Sequence, residues 1–211
     1  MSKILAIRGR VLPSTLDKVV LVAEHKDGRV TEGEAQIPKA GSPVKKIFLK
    51  PENASAAPEV IKAIQEAELI ILGPGSLYTS IIPNLLIKEI REAVAAATVS
   101  KIYVCNIMTQ PGETDNFKAS DHVRELAAHT DPAVLDACVV NIGRISQEMR
   151  DKYAKENSVL VEADVKTIRD FGYGVIEEDL VSATDHVRHD ANKLARIIAN
   201  LLNLERRAAQ R

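Results

Sequence analysis

The chain has 211 residues, of which 45% are hydrophobic and 3% aromatic, and its 28 basic and 29 acidic side chains leave a net charge of −1. This length and apolar content are enough for one compact domain with an aliphatic core. The charge is balanced and contains no Lys/Arg run, which argues against a nucleic-acid partner. The apolar runs fall short of the roughly 18 residues that a membrane span needs.

The two cysteines, Cys105 and Cys138, lie in separate apolar runs without a CxxC or Cys/His spacing. Free cysteine is among the most buried residue types, so we expect two buried, reduced thiols. The sequence also shows no secretory signal and no membrane span. These features together predict a cytoplasmic location.

The first quarter of the sequence predicts a small antiparallel sheet. Residues 1–9 have the pattern of a last helical turn closed by Gly9. Lys26-Asp27-Gly28 then separates two extended runs, and Asp-Gly supplies the positive φ angles of a tight hairpin turn. With a third extended run, residues 17–50 form a β-rich insert within a single domain of residues 1–211. The predicted strands are 18–24, 29–35 and 46–49.

From residue 58 onward, short apolar runs alternate with helical segments, which is typical of βα units in a parallel sheet. The predicted strands are 69–72, 102–105 and 137–140, and the predicted helices are 58–67, 80–97, 120–129 and 146–155. A last helix carries one apolar face from Leu194 to Leu202. The predicted fold class is therefore α/β: a Rossmann-like three-layer parallel sheet with a β-hairpin insert near the N-terminus.

The strongest local feature is the stretch Gly73-Pro74-Gly75-Ser76, which directly follows the strand 69–72. Glycines let backbone N–H groups approach a ligand closely, and a helix start favours negative charge. Ser76, Thr79 and Ser80 carry hydroxyls for phosphate oxygens. An ordinary strand-to-helix turn with a serine or threonine cap accounts for the pattern equally well. The sequence contains neither a P-loop nor a GxGxxG motif.

A second polar loop, residues 106–115, follows the next strand. Its side chains suit a sugar or a base, although a polar surface turn around Pro111-Gly112 is an alternative. The carboxyl ends of parallel strands share one edge of a sheet, where ligands bind in open α/β folds. Asn141-Ile142 repeats the Asn-Ile pair of Asn106-Ile107 at the end of a further strand.

The segment Asp185-His186-Val187-Arg188-His189-Asp190 precedes the last helix. The spacing of its two histidines is weak evidence for a metal site, so no metal ligand is assigned. Arg188 is a better candidate, because a guanidinium clamps a diphosphate or a carboxylate, and Asp190 suits a helix cap. The sequence shows no nucleophile-and-base pattern, and the residues alone name no reaction.

Five stretches carry a resemblance to a known family: Val11-Leu-Pro-Ser-Thr15, Gly33-Glu34, the GPGSLYTS motif at 73–80, the NIMTQPGET motif at 106–114, and Arg188-His-Asp190. In these stretches the chain resembles the gluconeogenesis-factor (YvcK-like) family, which is related to the 2-phospho-L-lactate transferases. The resemblance runs essentially from end to end. Family members are longer at the N-terminus and carry further loops there, so we expect an incomplete fold that a homodimer formed by edge pairing could compensate.

The resemblance implies a non-enzymatic regulator that binds a nucleotide sugar similar to UDP-GlcNAc and is required for cell morphogenesis under gluconeogenic growth. The alternative is a phosphotransferase of the 2-phospho-L-lactate type. No cofactor is expected, and the candidate ligands are a UDP-sugar, NAD or GDP. Tyr153 and Arg188 are carried over as nucleotide-sugar contacts. The candidate ligand-binding residues are Gly73, Gly75, Ser76, Thr79, Asn106, Thr109, Tyr153 and Arg188.

Overall fold

A computed structural model describes residues 9–182 and 186–209. The strands are β1 (Val20–His25), β2 (Val30–Glu32), β3 (Val44–Lys50), β4 (Ile70–Leu72), β5 (Lys101–Val104), β6 (Ala137–Asn141) and β7 (Gly174–Glu178). The helices are α1 (Pro58–Gln65), α2 (Ile82–Leu86), α3 (Lys88–Ala96), α4 (Ala119–His129), α5 (Gln147–Ala154), α6 (Val165–Asp170) and α7 (Ala191–Ala209).

The predicted antiparallel sheet is confirmed, with strand order β2-β1-β3. Its hairpin turns at Gly28, which has a φ of 88°. Asp27 fixes the turn, because its carboxylate accepts a hydrogen bond from the backbone N–H of Arg29 at 3.1 Å. Both Leu21 on β1 and Ile47 on β3 are buried toward the helices, so one face of this small sheet joins the main core.

The α/β prediction is also confirmed, because the remaining strands form a parallel sheet in the order β4-β5-β6-β7. Two elements, α6 and β7, were not predicted. The helix α6 has six residues, and β7 has the sequence GVIEE with two exposed glutamates. Segments this short and polar show little hydrophobic periodicity, and β7 forms only by pairing with β6.

Alternate residues of the parallel strands point into two apolar layers. Tyr103 on β5 and Cys105 directly after it pack with the helices α2, α3 and α4 and with the antiparallel sheet. Ile102 faces the opposite layer, where Ile197 of α7 and Leu180 are buried. This alternation gives the expected three-layer arrangement. Both Cys105 and Cys138 are free and buried in the first layer, as predicted.

The predicted continuous helix over 80–97 is wrong. The chain forms a π-helical turn at Leu77–Ile81, then α2, and then α3 after Ile87 in an extended conformation with ψ of 114°. Pro83 stands in the first turn of α2, where its missing N–H is tolerated, but a helix running through it from residue 80 would lose a hydrogen bond.

The helical turn expected over residues 1–9 lies, apart from Gly9, outside the described residues and stays a prediction. Within residues 9–182 and 186–209, no helix combines the length and apolar character that crossing a membrane requires.

The loop after β5 packs directly on the connection between β2 and β3 of the antiparallel sheet. Gly112 has a φ of 80°, and a Cβ built there would overlap the carbonyl oxygen of Pro38 in the 3₁₀ turn Ile37–Lys39. Glycine is therefore required twice at this position, by the backbone conformation and by the close approach of another backbone.

We predict that Gly112→Ala lowers the free energy of unfolding by at least about 2 kcal/mol, because a backbone clash adds to the cost of the positive φ. Gly33→Ala is the matched control, since Gly33 has a φ of 93° and open space around its Cβ position. It should cost only about 1 kcal/mol. Urea unfolding of both variants measures the difference, and equal losses would show that the contact with Pro38 is unimportant.

Candidate functional site

A cavity of about 550 Å³ opens at the carboxyl edge of the parallel sheet. Three segments meet there: the turn after β4, the loop after β5, and the segment that leads into α7. The lining residues are Pro74, Gly75, Ser76, Asn106, Ile107, Met108, Gln110, Val187, Arg188 and His189. The two polar loops predicted from sequence therefore do lie at one edge, as parallel strand ends require.

The turn after β4 is shaped by Gly73, which has a φ of 93°. A Cβ there would lie 3.2 Å from the carbonyl oxygen of Val104 and 3.1 Å from the side chain of Ile81. Gly73 thus lets β4 turn closely against β5, while the next residues, Gly75 and Ser76, form the cavity wall. A Cβ on Gly75 would lie 3.3 Å from the Cβ of Ser80, so glycine at this position allows the close approach of Ser80.

A chain of hydrogen bonds crosses from one loop to the other along this wall. The Asn106 side-chain amide donates to Gln110 Oε1 at 3.1 Å, and Gln110 Nε2 donates to Ser76 Oγ at 2.7 Å. Thr114 holds Gln110 from behind by accepting its backbone N–H at 2.9 Å. The polar groups of the two loops are therefore pre-positioned relative to each other, with hydroxyl and amide atoms facing a ligand.

Thr79 lies on the turn after Ser76 and faces away from the cavity. Its hydroxyl donates to the carboxylate of Glu113, at 3.1 and 3.3 Å to the two oxygens. Burial raises the pKa of Glu113, while the Thr79 hydroxyl and the nearby backbone N–H of Tyr78 oppose that rise. The Thr79 hydroxyl is thus already engaged by Glu113, while Gly75 and Ser76 line the cavity.

Arg188 is exposed at the cavity and forms no ion pair with any carboxylate in the described part of the chain. Tyr153 positions this segment from beneath, since its hydroxyl accepts the backbone N–H of Val187 at 2.9 Å. At the start of α7, the carboxylate of Asp190 caps the helix by accepting the backbone N–H groups of Asn192 and Lys193, at 2.9 and 3.0 Å. Asp185 lies outside the described residues.

His189 reaches across the cavity floor to β5, where its Nε2 donates to the carbonyl oxygen of Cys105 at 3.0 Å. A carbonyl only accepts, so the hydrogen must lie on Nε2, and Nδ1 is the nitrogen with a free lone pair. Burial lowers the pKa of His189, and the hydrogen bond to Cys105 opposes this shift. His189 is therefore a neutral member of the site near pH 7.

Thr109 is buried, with 2% of its surface exposed. Its hydroxyl accepts the backbone N–H of Val159 at 2.9 Å, and its carbonyl oxygen accepts the hydroxyl of Ser158 at 2.6 Å. These bonds fasten the loop after β5 to the segment that follows α5. Thr109 therefore holds the loop in place and does not reach the cavity.

Of the eight candidate residues, the structure brings four to the cavity: Gly75, Ser76, Asn106 and Arg188. The other four surround it as supports: Gly73, Thr79, Thr109 and Tyr153. Asn141 is a support as well, because its side chain bonds the backbone of Gly143 and Leu180. The candidate set omitted Gln110 and His189, although both belong to motifs identified in the sequence. Their hydrogen-bond partners, Ser76 and Cys105, are distant in sequence, so no local pattern indicates that they reach the cavity.

We predict that His189 titrates below its ordinary pKa of 6.5 and is the Nε2–H tautomer at pH 7. The pKa is lower in the folded than in the unfolded chain, so the unfolded chain binds this proton more readily. The stability that His189 contributes is therefore present above pH 6.5 and is lost as pH falls toward the folded pKa. A two-dimensional NMR titration of the imidazole nitrogens tests both points. A cationic ring at pH 7 would contradict them.

Comparisons with known proteins agree with this architecture. The family model "2-phospho-L-lactate transferase CofD" matches residues 1–181. The protein named gluconeogenesis factor in Bacillus subtilis is 46% identical over 203 residues, which are 96% of this chain and 64% of the relative. The one from Halalkalibacterium halodurans is 42% identical over 94% of this chain and 62% of its own length.

A relative from Clostridium acetobutylicum is 47% identical, and the match covers 46% of it. The crystal structure of a UPF0052-family protein from Bacillus halodurans superposes with a TM-score of 0.89 and 41% identity, covering 94% of this chain and 64% of that one. The chain therefore spans between about half and two thirds of the length of the relatives it matches.

Proposed function

We propose that this chain, which belongs to the family of the 2-phospho-L-lactate transferase CofD, binds a nucleotide sugar of the UDP-GlcNAc type at the carboxyl edge of its parallel sheet. Its role is that of a cytoplasmic regulator required for cell morphogenesis during gluconeogenic growth, without catalysis. One observation carries the binding proposal: Gly75, Ser76, Asn106 and Arg188, from three separate segments, converge on one cavity.

The charge of the cavity favours the diphosphate. Arg188 is the cationic group among its lining residues, and none of these residues is acidic. Opposite the arginine, the turn at Gly75 and Ser76 offers backbone N–H groups and a hydroxyl. A diphosphate between them would gain charge-assisted hydrogen bonds from the guanidinium and further bonds from the turn.

The remaining wall suits the uracil ring and the sugars. Asn106 and Gln110 present amide groups that both donate and accept, as a base edge and sugar hydroxyls require. Ile107, Met108 and Val187 add an apolar surface for a planar ring. The volume of about 550 Å³ also lies within the range of roughly 300 to 1,000 Å³ typical of small-molecule sites.

The regulatory part of the proposal rests on the relatives' names and on the chemistry of the lining. The relatives from Bacillus subtilis and Halalkalibacterium halodurans are named gluconeogenesis factor. Among the lining residues, Ser76 already accepts a hydrogen bond from Gln110, and His189 already donates one to a backbone carbonyl. Within the described residues, the Ser76 hydroxyl has Gln110 as its side-chain hydrogen-bond partner and no histidine or carboxylate that could act as a base.

The alternative is a transferase of the 2-phospho-L-lactate type, which the family's description favours. Both functions require an anionic ligand at the same edge of the sheet, so a binding measurement alone does not distinguish them. An assay for turnover distinguishes them. Incubation of the protein with a phospholactate-bearing guanine nucleotide, a deazaflavin acceptor and a divalent metal would yield a deazaflavin that carries the phospholactate group, with release of the guanine nucleotide, under the alternative. Under the regulator proposal neither product forms.

We predict that isothermal titration calorimetry detects saturable binding of UDP-GlcNAc, tighter than that of UDP, GDP or NAD. Arg188→Met should weaken it by roughly tenfold or more, because a charged group's hydrogen bonds to a phosphate contribute about 1.5–3 kcal/mol. Arg196→Met is the matched control, since Arg196 is an exposed arginine on α7 outside the cavity lining. Equal weakening by both variants, or no binding of any nucleotide, would refute the proposed site.

A further inference from the structure

A second cavity, of about 630 Å³, lies on the other side of the helices from the candidate site. It is bordered by β3 of the antiparallel sheet, by the connection from α2 into α3, and by the end of α4. We call it the β3–α3 cavity. It shares no lining residue with the candidate site.

Basic side chains outnumber acidic ones around this cavity. Lys45, Lys46, Lys88 and Arg91 border it, against Glu52 and Glu125. Lys45 is paired with Glu24 at 2.6 Å, so the positive excess rests on the other three cations. An excess of positive charge at a cavity raises the local concentration of anionic ligands.

Arg91 is the best-placed of these cations. It is half-buried on α3, and its Nη1 donates to the carbonyl oxygen of Leu85 at 3.3 Å, which orients the guanidinium. Within residues 9–182 and 186–209, no carboxylate forms an ion pair with it. Lys88 lies 3.8 Å from Glu92 with both side chains largely exposed, so that pair holds it only weakly.

The carboxylate of Glu125 is already occupied. The hydroxyl of Tyr78 donates to its Oε2 at 3.0 Å, and burial raises the pKa of Tyr78, so this hydroxyl stays protonated. His129 donates from Nδ1 to the backbone carbonyl of Glu125 at 2.9 Å. This leaves the buried Nε2 of His129 without a hydrogen-bond partner in the described structure. With the hydrogen on Nδ1, this Nε2 is an acceptor and cannot donate to an anion, so an anionic ligand would rely on Arg91 and Lys88.

The rest of the lining is apolar. Phe48 and Leu86 are half-buried and face the cavity together with Ala128. A ligand that fits must therefore combine a negative group, held by Arg91 and Lys88, with an apolar part that packs on Phe48 and Leu86.

We propose that the β3–α3 cavity is a second ligand site, specific for a small organic anion in which a phosphate or carboxylate is joined to an apolar group. The site is independent of the nucleotide cavity. The anion lies against Arg91 and Lys88, and the apolar part covers Phe48 and Leu86.

Phenyl phosphate is a suitable probe, and phenol and inorganic phosphate are its two halves. We expect saturable changes in the ¹H–¹⁵N NMR spectrum on titration with phenyl phosphate, confined to residues 45–49, 86–91 and 125–129. Each half alone should bind at least several-fold more weakly, because it keeps only one of the two contacts.

Arg91→Met should weaken phenyl phosphate binding by about tenfold or more, because it removes a charge-assisted pair at similar volume. Arg150→Met is the matched control: Arg150 is exposed on α5, outside this cavity, and the variant should bind as the parent does. Arg91 also contacts the Leu85 carbonyl, so Lys88→Gln provides a second test. Because the Lys88 side chain is exposed, this replacement should weaken phenyl phosphate binding several-fold without affecting the fold.

Three results would overturn the proposal. One is the lack of saturation by about 10 mM probe, well above the range of a specific small-molecule site. Another is a set of shifts confined to residues around 73–76 and unchanged in Arg91→Met, which would assign the probe to the nucleotide cavity alone. The third is equal weakening by Arg150→Met, which would reveal a general charge effect.

Discussion

The candidate site depends on how the loop after β5 is fastened to its surroundings. Glu113 accepts the Thr79 hydroxyl, and Gln110 donates to Ser76, so this loop is tied twice to the turn after β4. Thr109 ties it to the segment after α5, and Gly112 packs on Pro38 beside the small sheet. The parallel pairing of β4 and β5 brings these loops near each other, but these bonds set their spacing to within a hydrogen-bond length.

The distribution of charge is the second organising feature. The chain is nearly neutral, yet each of the two cavities presents an arginine that forms no ion pair with a carboxylate of the described residues. These are Arg188 in the candidate site and Arg91 in the β3–α3 cavity. In each case a backbone contact positions the cationic group or its segment: Tyr153 holds the N–H of Val187, and Leu85 accepts a bond from Arg91. Such preorganisation favours anionic ligands without a large overall field.

Much of the fold could be predicted from local sequence patterns. Asp27-Gly28 fixed the hairpin because only certain residues accept a positive φ there, and the alternating apolar runs identified three parallel strands. The same signals failed in two places: β7 is too polar to stand out, and Ile87, itself buried, takes an extended conformation that separates α2 from α3. The places of Thr79 and Thr109 could not be predicted for a related reason, since a hydroxyl in a polar loop can bond a ligand, a carboxylate or a backbone N–H.

The sequence by itself determined the α/β class, the hairpin, the two glycine- and amide-containing loops and the family to which the chain belongs. These depend on residue types and on spacings within a few residues. Only the tertiary structure decided which polar side chains reach the cavity, that Gln110 and His189 belong to it, and that a second basic cavity lies behind α3. Those outcomes depend on contacts between residues far apart in the chain, such as His189 with Cys105, and no local pattern encodes them.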